Sequence, residues 1–211
     1  MQVVYNKRTV GELLMDLLSE LITREGKHLG NGVLKVDSFM NHQINPQLMR
    51  YVGEEFAKRF GAMKPTRILT AETSGIAPAL AAGMALDVPI LFARKHQPIT
   101  MAPDPYREQS SSPTHGKQVE LIVSTEYLES TDRILIIDDF LASGRTILAL
   151  HRLVEQSGAT LIGVGAVIEK AFQNGRDLLV DLKVPVESLA VIERFERDRI
   201  IVKDIVASSK N

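Results

Sequence analysis

The residues with the clearest chemical potential lie in the stretch 134–146. Four aliphatic residues precede Asp138 and Asp139, and a loop of mostly small residues follows and ends at Thr146. Ligands of open α/β sheets bind at the carboxyl ends of strands, and backbone N–H groups of a tight loop at a helix N-terminus suit a phosphate monoester. Two carboxylates beside that loop would repel the phosphate itself. They suit the hydroxyls of a sugar that carries it, or a hydrated magnesium ion.

A plainer interpretation of this stretch is an acidic loop that only caps the following helix. The acid pair alone, or the small-residue loop alone, favours that interpretation. Both together, in this order after a buried strand, favour a site for a phosphorylated sugar.

Two shorter segments suggest related chemistry. Residues 72–75 (Glu-Thr-Ser-Gly) form a second tight loop whose backbone amides can approach an anion, although Thr73 or Ser74 could equally cap the helix that follows. Arg94 and Lys95 end the next strand, where two cations could neutralise a leaving anion or form a solvated pair.

The elements that must position these residues follow from the hydrophobic pattern. We expect helices at residues 9–25, 47–59, 77–86 and 146–156, and strands at 67–70, 88–92, 119–124, 133–137 and 161–168. Residues 97–117 contain four of the nine prolines and little periodicity, which predicts a long loop. This order predicts an α/β fold, a mostly parallel central sheet flanked by helices, in a single domain, 1–211.

Composition excludes several classes of protein. The chain has 211 residues, a formal net charge of -1 and no cysteine, so it has no disulfide framework and no overall positive field for nucleic acid or an anionic membrane. No apolar stretch approaches the roughly 18 residues that span a bilayer, and the N-terminus lacks the pattern of a signal peptide. We therefore expect a cytoplasmic protein without nucleic-acid or membrane partners.

The stretch 134–146 resembles the phosphoribosyl-pyrophosphate motif of the type I phosphoribosyltransferases. By that resemblance Asp138 and Asp139 hold the ribose hydroxyls, and Lys95 acts with them in catalysis. The resemblance implies that the 5′-phosphate is bound by Ala142, Ser143, Gly144, Arg145 and Thr146. It implies that the pyrophosphate is bound by Thr73, Ser74, Gly75 and Arg94, in a loop that the family often holds with a non-proline cis peptide.

The same resemblance implies two mobile or covering parts and a metal. Residues 1–45 would form an N-terminal helix and a small hood over the purine, and 97–117 a mobile loop in which Tyr106, Ser111 and Lys117 could touch substrate. Mg²⁺ would enter with phosphoribosyl pyrophosphate, held mainly by that substrate, so no certain metal ligand is assigned in the chain. A homodimer is also implied, with Arg94 and Lys95 near its interface.

The base is suggested by two further segments. Hypoxanthine-guanine enzymes carry an acid in the phosphate loop where this chain has Ala142, whereas residues 33–43 and 168–176 resemble bacterial xanthine phosphoribosyltransferases. By that resemblance Leu34 packs on the purine, Asn41 hydrogen-bonds it and Lys170 reaches it from a strand end. Phe140 is a candidate for stacking on the base, and Phe172 is one only if it is not core.

The expected activity is purine salvage by transfer of the phosphoribosyl group to xanthine, giving xanthosine 5′-monophosphate and pyrophosphate. A lysine donor suits the carbonyl oxygens of xanthine and disfavours the exocyclic amine of adenine. The alternatives are a phosphoribosyltransferase for guanine or adenine, a phosphoribosyl-pyrophosphate-sensing transcriptional regulator, and a plain nucleotide-binding module.

Overall fold

The computed structural model describes residues 10–111, 118–197 and 199–203. The first half of the chain contains helix α1 (Val10–Glu25), strands β1 (Lys27–His28) and β2 (Leu34–Lys35), a π-helical turn (Asp37–Asn41), helix α2 (Pro46–Phe60), a 3-10 turn (Gly61–Met63), strand β3 (Arg67–Ala71), helix α3 (Ile76–Leu86) and strand β4 (Ile90–Ala93). The second half contains strands β5 (Tyr106–Ser111), β6 (Gln118–Val123) and β7 (Arg133–Leu141), helix α4 (Arg145–Ser157), strand β8 (Thr160–Lys170), 3-10 turns (Ala171–Gln173 and Val180–Leu182) around helix α5 (Gly175–Leu178), and strands β9 (Val186–Glu196) and β10 (Arg199–Val202).

Six strands form the central sheet in the order β10-β9-β8-β7-β3-β4. All neighbours are parallel except β9 and β10, which pair antiparallel. The sheet is therefore mostly parallel, as the sequence predicts. Parallel alignment brings the carboxyl ends of β3, β7 and β8 to one edge, and ligands bind at this edge in open α/β sheets.

The central strand β7 separates two hydrophobic clusters because side chains alternate between the faces of a strand. Leu135 and Ile137 pack in a cluster with α1, α2 and α3, whereas Ile134 and Ile136 pack in a cluster with α4. All four side chains are completely buried. The continuous aliphatic run is thus explained by burial on both faces.

Local signals in the sequence explain the helix boundaries. Asn45 begins α2, and its side-chain oxygen accepts the N–H groups of Gln47 and Leu48 at 3.0 Å each. Gly158 follows α4 with a φ of 75°, the left-handed conformation that glycine adopts without a steric penalty. The helices expected at 9–25 and 47–59 are confirmed within a residue at each end.

The loop expected at 97–117 is partly wrong. Residues 106–111 form β5, which pairs antiparallel with β6 from Tyr106 opposite Val123 to Ser111 opposite Gln118. Glu108 is bonded to Arg152 of α4 at 3.1 Å, and Gln156 exchanges hydrogen bonds with the backbone of Arg107. Three of the four prolines, Pro98, Pro103 and Pro105, lie before β5, and the polar residues of the strand hide its alternation. Lys117 lies outside the described residues.

Within the described part of the chain, no helix is both long and apolar enough to cross a bilayer. The assignment of the whole chain, 1–211, to one domain stays a prediction, since residues 1–9 and 204–211 lie outside the described residues.

Candidate active site

Residues 142–146, to which the resemblance assigns the 5′-phosphate and which we call the phosphate loop, follow β7 and continue into α4. The strand extends to Leu141, four residues beyond the sequence-based boundary, so Asp138 and Asp139 belong to the strand itself. Gly144 then turns the chain into α4 with a φ of 77°. A Cβ at Gly144 would lie 2.7 Å from the carbonyl oxygen of Gly175, so conformation and space both require glycine there.

A cavity of about 360 Å³ joins the phosphate loop to the proposed purine-binding residues. It is lined by Asn31, Gly32, Val33, Leu34, Asn41, Ser74, Asp138, Asp139, Phe140, Ala142, Ser143, Gly144, Arg145, Thr146, Ile147, Lys170 and Gln173. Segments more than 100 residues apart in the sequence therefore meet around one space. We call it the main cavity.

A second cavity of about 200 Å³ lies beside it and is lined by Ala71, Glu72, Ser74, Lys95, Ser110, Val119, Leu121, Asp138, Asp139 and Thr146. The two cavities share Ser74, Asp138, Asp139 and Thr146. We call it the side cavity. The acid pair thus lies between a space lined by the phosphate loop and a space that contains Lys95.

The two carboxylates are buried side by side. Asp138 is 6% and Asp139 8% exposed, and the backbone N–H of Asp139 donates to Asp138 Oδ1 at 3.0 Å. Burial raises the pKa of Asp138 well above its usual value, and the neighbouring charge of Asp139 raises it further, while Lys95 opposes the shift. A pair of buried carboxyl groups suits hydroxyl donors and cations rather than a phosphate group.

Lys170 lies at the other end of the main cavity, at the last residue of β8. Its ammonium group donates to the carbonyl oxygen of Gly32 at 3.1 Å and lies 4.9 Å from the ring centroid of Phe140. Burial lowers the pKa of Lys170, and Asp139 partly opposes that shift. The ammonium group of Lys170 is therefore fixed in position by its bond to Gly32, is partly desolvated, and can donate hydrogen bonds into the space beside Phe140.

Leu34 and Asn41 reach the main cavity from the N-terminal part of the chain. Leu34 belongs to β2 and also packs in the core cluster with α1 and α2. Asn41 is the last residue of the π-helical turn, whose Phe39 and Met40 are buried. The buried residues of this turn fix the position at which Asn41 meets the cavity.

Three residues expected at the pyrophosphate lie differently from one another. Ser74 lines both cavities, and Thr73 lines an adjacent apolar groove. Gly75 lies behind the acid pair, since a Cβ there would be 2.6 Å from Asp138 Oδ1. The peptide bond between Glu72 and Thr73 is cis, as the resemblance implies.

Some other candidates lie away from both cavities. Arg94 lines neither: its backbone pairs with Ile122, and its guanidinium group lies 5.0 Å from the ring of Phe92. Tyr106 packs against the cluster on the α4 side of the sheet. Phe172 packs edge-on against Phe195 at 5.1 Å, which favours the core role. The side chain of Ser111 lies outside the described residues.

Sequence reasoning missed several lining residues. Glu72 accepts the backbone N–H of Lys95 at 2.6 Å, which ties the tight loop to the end of β4. Ser110 enters the side cavity from β5, and Gln173 enters the main cavity beside Lys170. Glu72 belongs to the tight loop 72–75 and Gln173 to the segment 168–176, so both lie in motifs that the sequence had identified, although neither received a role there. Ser110 gave none, because its strand was interpreted as a loop.

Comparison with known proteins agrees with this geometry. Residues 41–198 match the family described as the phosphoribosyl transferase domain. The chain is 52% identical over 188 residues to a protein of Deinococcus deserti named xanthine phosphoribosyltransferase, an alignment that covers 89% of this chain and 97% of that one. It is 50% identical over 179 residues to a protein of the same name from Moorella thermoacetica, covering 85% and 91%.

Solved structures share the architecture at lower identity. The adenine phosphoribosyltransferase of Rhodothermus marinus superposes with a TM-score of 0.70 at 23% identity, covering 85% of this chain and 99% of that one. That of Saccharomyces cerevisiae gives 0.67 at 20% identity, covering 84% and 98%. At these identities the similarity shows the fold alone. Taken with the sequence relatives, it means that the chain belongs to the type I phosphoribosyltransferase family and, within it, to the bacterial xanthine phosphoribosyltransferases.

Proposed function

We propose that this enzyme transfers the phosphoribosyl group of phosphoribosyl pyrophosphate to xanthine, giving xanthosine 5′-monophosphate and pyrophosphate. The observation that carries the proposal is the main cavity, in which the phosphate loop, the buried acid pair and Lys170 surround one space. A phosphate, a ribose and a base joined in that order would meet those three features in sequence along the cavity.

The phosphoribosyl part is held mainly by the end of β7 and the start of α4. The 5′-phosphate is bound by residues 142–146, where backbone N–H groups and the N-terminus of α4 offer partial positive charge. Asp138 and Asp139 accept hydrogen bonds from the ribose hydroxyls. Ser74 and Lys95, which line the side cavity, face the pyrophosphate.

The reaction breaks the bond between the anomeric carbon and the pyrophosphate oxygen, and the leaving pyrophosphate keeps the electron pair. A ring nitrogen of the purine forms the new bond from the opposite face, and the proton that it carried is released to water. Positive charge develops on the sugar ring as the bond lengthens, and the buried carboxylates stabilise it. Lys95 offsets the charge of the leaving group. Catalysis is mainly alignment and charge stabilisation.

Magnesium is expected to accompany phosphoribosyl pyrophosphate. Among the described ranges, no three His, Cys, Asp or Glu side chains gather as a metal site. Asp138 and Asp139 nevertheless lie buried between the two cavities, and carboxylate oxygens are ligands that Mg²⁺ accepts. The residues therefore fit an ion held mainly by the substrate and bordered by Asp138 and Asp139. When bound, it would neutralise part of the charge of the pyrophosphate.

Base preference is assigned to the other end of the main cavity. Lys170 donates hydrogen bonds and accepts none, so it suits a carbonyl oxygen of xanthine and leaves the amine of adenine unpaired. Leu34 packs on the base and Asn41 bonds to its edge, with Phe140 beside it. Guanine, which keeps one carbonyl oxygen, is the expected weaker substrate.

The expected homodimer has a candidate surface. An apolar groove of about 870 Å³ lies between the segment 40–54 and α3, and it includes Ile44, Leu80 and Met84, which are 51%, 49% and 76% exposed. Large exposed apolar patches mark interaction surfaces. The groove adjoins Thr73 and Ser74, so a second copy seated there would lie next to the pyrophosphate loop. Sedimentation of Met84→Asp tests this: we expect monomers, and an unchanged dimer would place the interface elsewhere.

A cytoplasmic location stays a prediction.

The test of the activity is direct turnover. The purified protein is incubated with Mg²⁺, phosphoribosyl pyrophosphate and one base at a time, namely xanthine, guanine, hypoxanthine or adenine, and nucleotide and pyrophosphate are quantified. Asp139→Ala serves as the blank. We expect the highest turnover on xanthine. Preference for adenine would overturn the assignment of the base, and binding of phosphoribosyl pyrophosphate without turnover on any base would favour the sensing regulator.

A further inference from the structure

A short connector between β8 and α5, residues 171–175, joins the two ends of the main cavity. Lys170 precedes it at the purine end, and Gly175 closes it against the phosphate loop. A Cβ at Gly175 would lie 2.1 Å from the carbonyl oxygen of Ala142 and 2.8 Å from the nitrogen of Gly144. The connector and the phosphate loop therefore touch through their backbones, and movement of one displaces the other.

The connector is held at both ends by a polar network in which the Glu169 carboxylate is buried and the Arg176 side chain is 43% exposed. Arg176, directly after Gly175, donates to both carboxylate oxygens of Glu169, at 3.0 Å from Nε and 2.5 Å from Nη2. Ser188 of β9 donates to Glu169 Oε2 at 2.6 Å and accepts from Arg176 at 3.2 Å. Arg176 also donates to the carbonyl oxygen of Val186 at 2.6 Å. The segment is thus fastened to two neighbouring strands of the sheet.

Glu169 itself is not part of the main cavity. Adjacent residues of a strand point to opposite faces, and Glu169 accordingly lines a different surface pocket while its neighbour Lys170 lines the main cavity. Its carboxylate is 7% exposed. Burial alone would raise the pKa of Glu169, but hydrogen bonds from Arg176 and Ser188 outweigh it and lower the pKa. The network therefore acts on the site through the backbone and not by contact with substrate.

We propose that Arg176, held by Glu169 and Ser188, is a positioning residue that sets the phosphate loop and Lys170 in register with each other. The bidentate geometry fixes the direction of the chain at Gly175, and the same carboxylate belongs to the residue next to Lys170. One ion pair thus controls the spacing between the phosphate-binding and base-binding ends. This inference rests on the proposed function.

The protein contains a matched control for this ion pair. Arg67, the first residue of β3, donates to Asp132 Oδ2 at 3.0 Å, and the hydroxyl of Thr66 donates to Asp132 Oδ1 at 2.8 Å. Asp132 is buried, as Glu169 is, and this pair lies at the amino ends of β3 and β7 and lines neither the main nor the side cavity. Loss of either arginine leaves a buried carboxylate without its ion-pair partner, so both losses destabilise the fold by the same mechanism.

The experiment compares Arg176→Met, Arg176→Lys, Ser188→Ala and Arg67→Met in the full-length chain. We measure kcat, the KM for each substrate, the Tm, and the Kd for phosphoribosyl pyrophosphate by calorimetry. For Arg176→Met we expect both KM values and the Kd to rise about tenfold or more, since a small misplacement of binding groups has effects of this size. Arg176→Lys should recover part of the loss. Ser188→Ala should shift the same quantities in the same direction by a smaller factor.

Arg67→Met should lower the Tm at least as much as Arg176→Met, since the Arg67 side chain is 20% and the Arg176 side chain 43% exposed. It should leave both KM values within about twofold, because its partner Asp132 is separate from the Arg176 network and distant sites act independently. Equal KM shifts in the two arginine variants, or none in Arg176→Met, would overturn the proposal. If Arg176→Met does not fold, unchanged KM values in Ser188→Ala would overturn it as well. A wild type without turnover would refute the proposed function separately, and the Kd values would still test the positioning role.

Discussion

The two ends of the main cavity are constructed in different ways. The end to which we assign the phosphoribosyl group, called the phosphoribosyl end, is made of backbone: β7 runs into a glycine turn and the first residues of α4, and parallel pairing with β3 and β8 fixes its position. The end to which we assign the base, called the purine end, is made of side chains. Leu34, Asn41 and Lys170 come from a two-residue strand, a π-helical turn and a strand end, which are separate in sequence.

Phosphate binding and base recognition depend on the sequence in different ways. A phosphate can be bound by N–H groups that every residue except proline carries, so its site follows from the fold and a few glycines. Adenine phosphoribosyltransferases at 23% identity share that fold. A base must be distinguished by donors and acceptors on particular side chains. Changes at the two ends should therefore have separable effects.

The largest effect is expected where the two ends meet. Asp138→Asn should reduce kcat/KM about 1,000-fold, because it removes a buried negative charge next to the carbon on which positive charge develops. Steady-state rates with xanthine and phosphoribosyl pyrophosphate test this. Asp181→Asn, at an exposed aspartate, is the matched control and should retain wild-type rates. Retained activity in Asp138→Asn would remove Asp138 from the reaction.

The phosphoribosyl end is tested by Gly175→Ala. The added methyl would clash with the backbone of Ala142, so the phosphate loop must shift, and binding of phosphoribosyl pyrophosphate should weaken about 100-fold. Calorimetry measures this Kd. Gly61→Ala is the control, because a Cβ at Gly61 meets only Leu86 at an ordinary 3.6 Å. Equal Kd values for both variants would contradict the backbone account of this end.

The purine end is tested by Lys170→Gln. The loss of the buried ammonium group should lower kcat/KM for xanthine about tenfold, since one charge-assisted hydrogen bond contributes about 1.5–3 kcal/mol. The Kd for phosphoribosyl pyrophosphate should change less than about twofold. Lys58→Gln, at a lysine that is 66% exposed, should change neither quantity. A matched loss of affinity for both substrates would mean that the ends are not separable.

The smallest effect concerns stability and again uses Asp138→Asn. Because the folded-state pKa of Asp138 is raised above its usual 3.8, the folded protein retains this proton longer than the unfolded chain does. This contribution to stability is complete below pH 3.8 and is lost as the pH rises through the folded-state pKa. The variant should therefore be more stable than wild type at neutral pH, by about 1 kcal/mol.

Thermal unfolding between about pH 3 and 8 measures the difference between the two proteins, so that the range extends below the unfolded-state pKa of 3.8. The gap should close towards the acidic end, where Asp138 is protonated in both states of the wild type. A variant that is less stable than wild type at neutral pH would show that the buried charge is compensated within the protein.

The sequence predicted the fold and the phosphoribosyl end better than the rest, for physical reasons. Burial on both faces leaves a continuous aliphatic run, such as residues 134–137, and a phosphate loop leaves small residues at fixed spacing. Strand β5 was missed because its residues are mostly polar and because its pairing partner, β6, lies in a separate segment of the sequence. Phe140, Lys170 and Gly32 meet only through the tertiary fold, so their contacts had no local signal.

The contact between Gly144 and Gly175 also limits how this enzyme can be redesigned. A graft that exchanges the connector for that of a relative with another base preference would replace one side of a backbone-to-backbone junction. The grafted segment must therefore have a glycine at position 175, together with its own counterparts of Arg176 and Glu169. Without them, the engineered protein would lose phosphate binding as well as its original base preference. Base preference and phosphate binding depend on different chemical groups, but in this protein both depend on the backbone contact between Gly144 and Gly175.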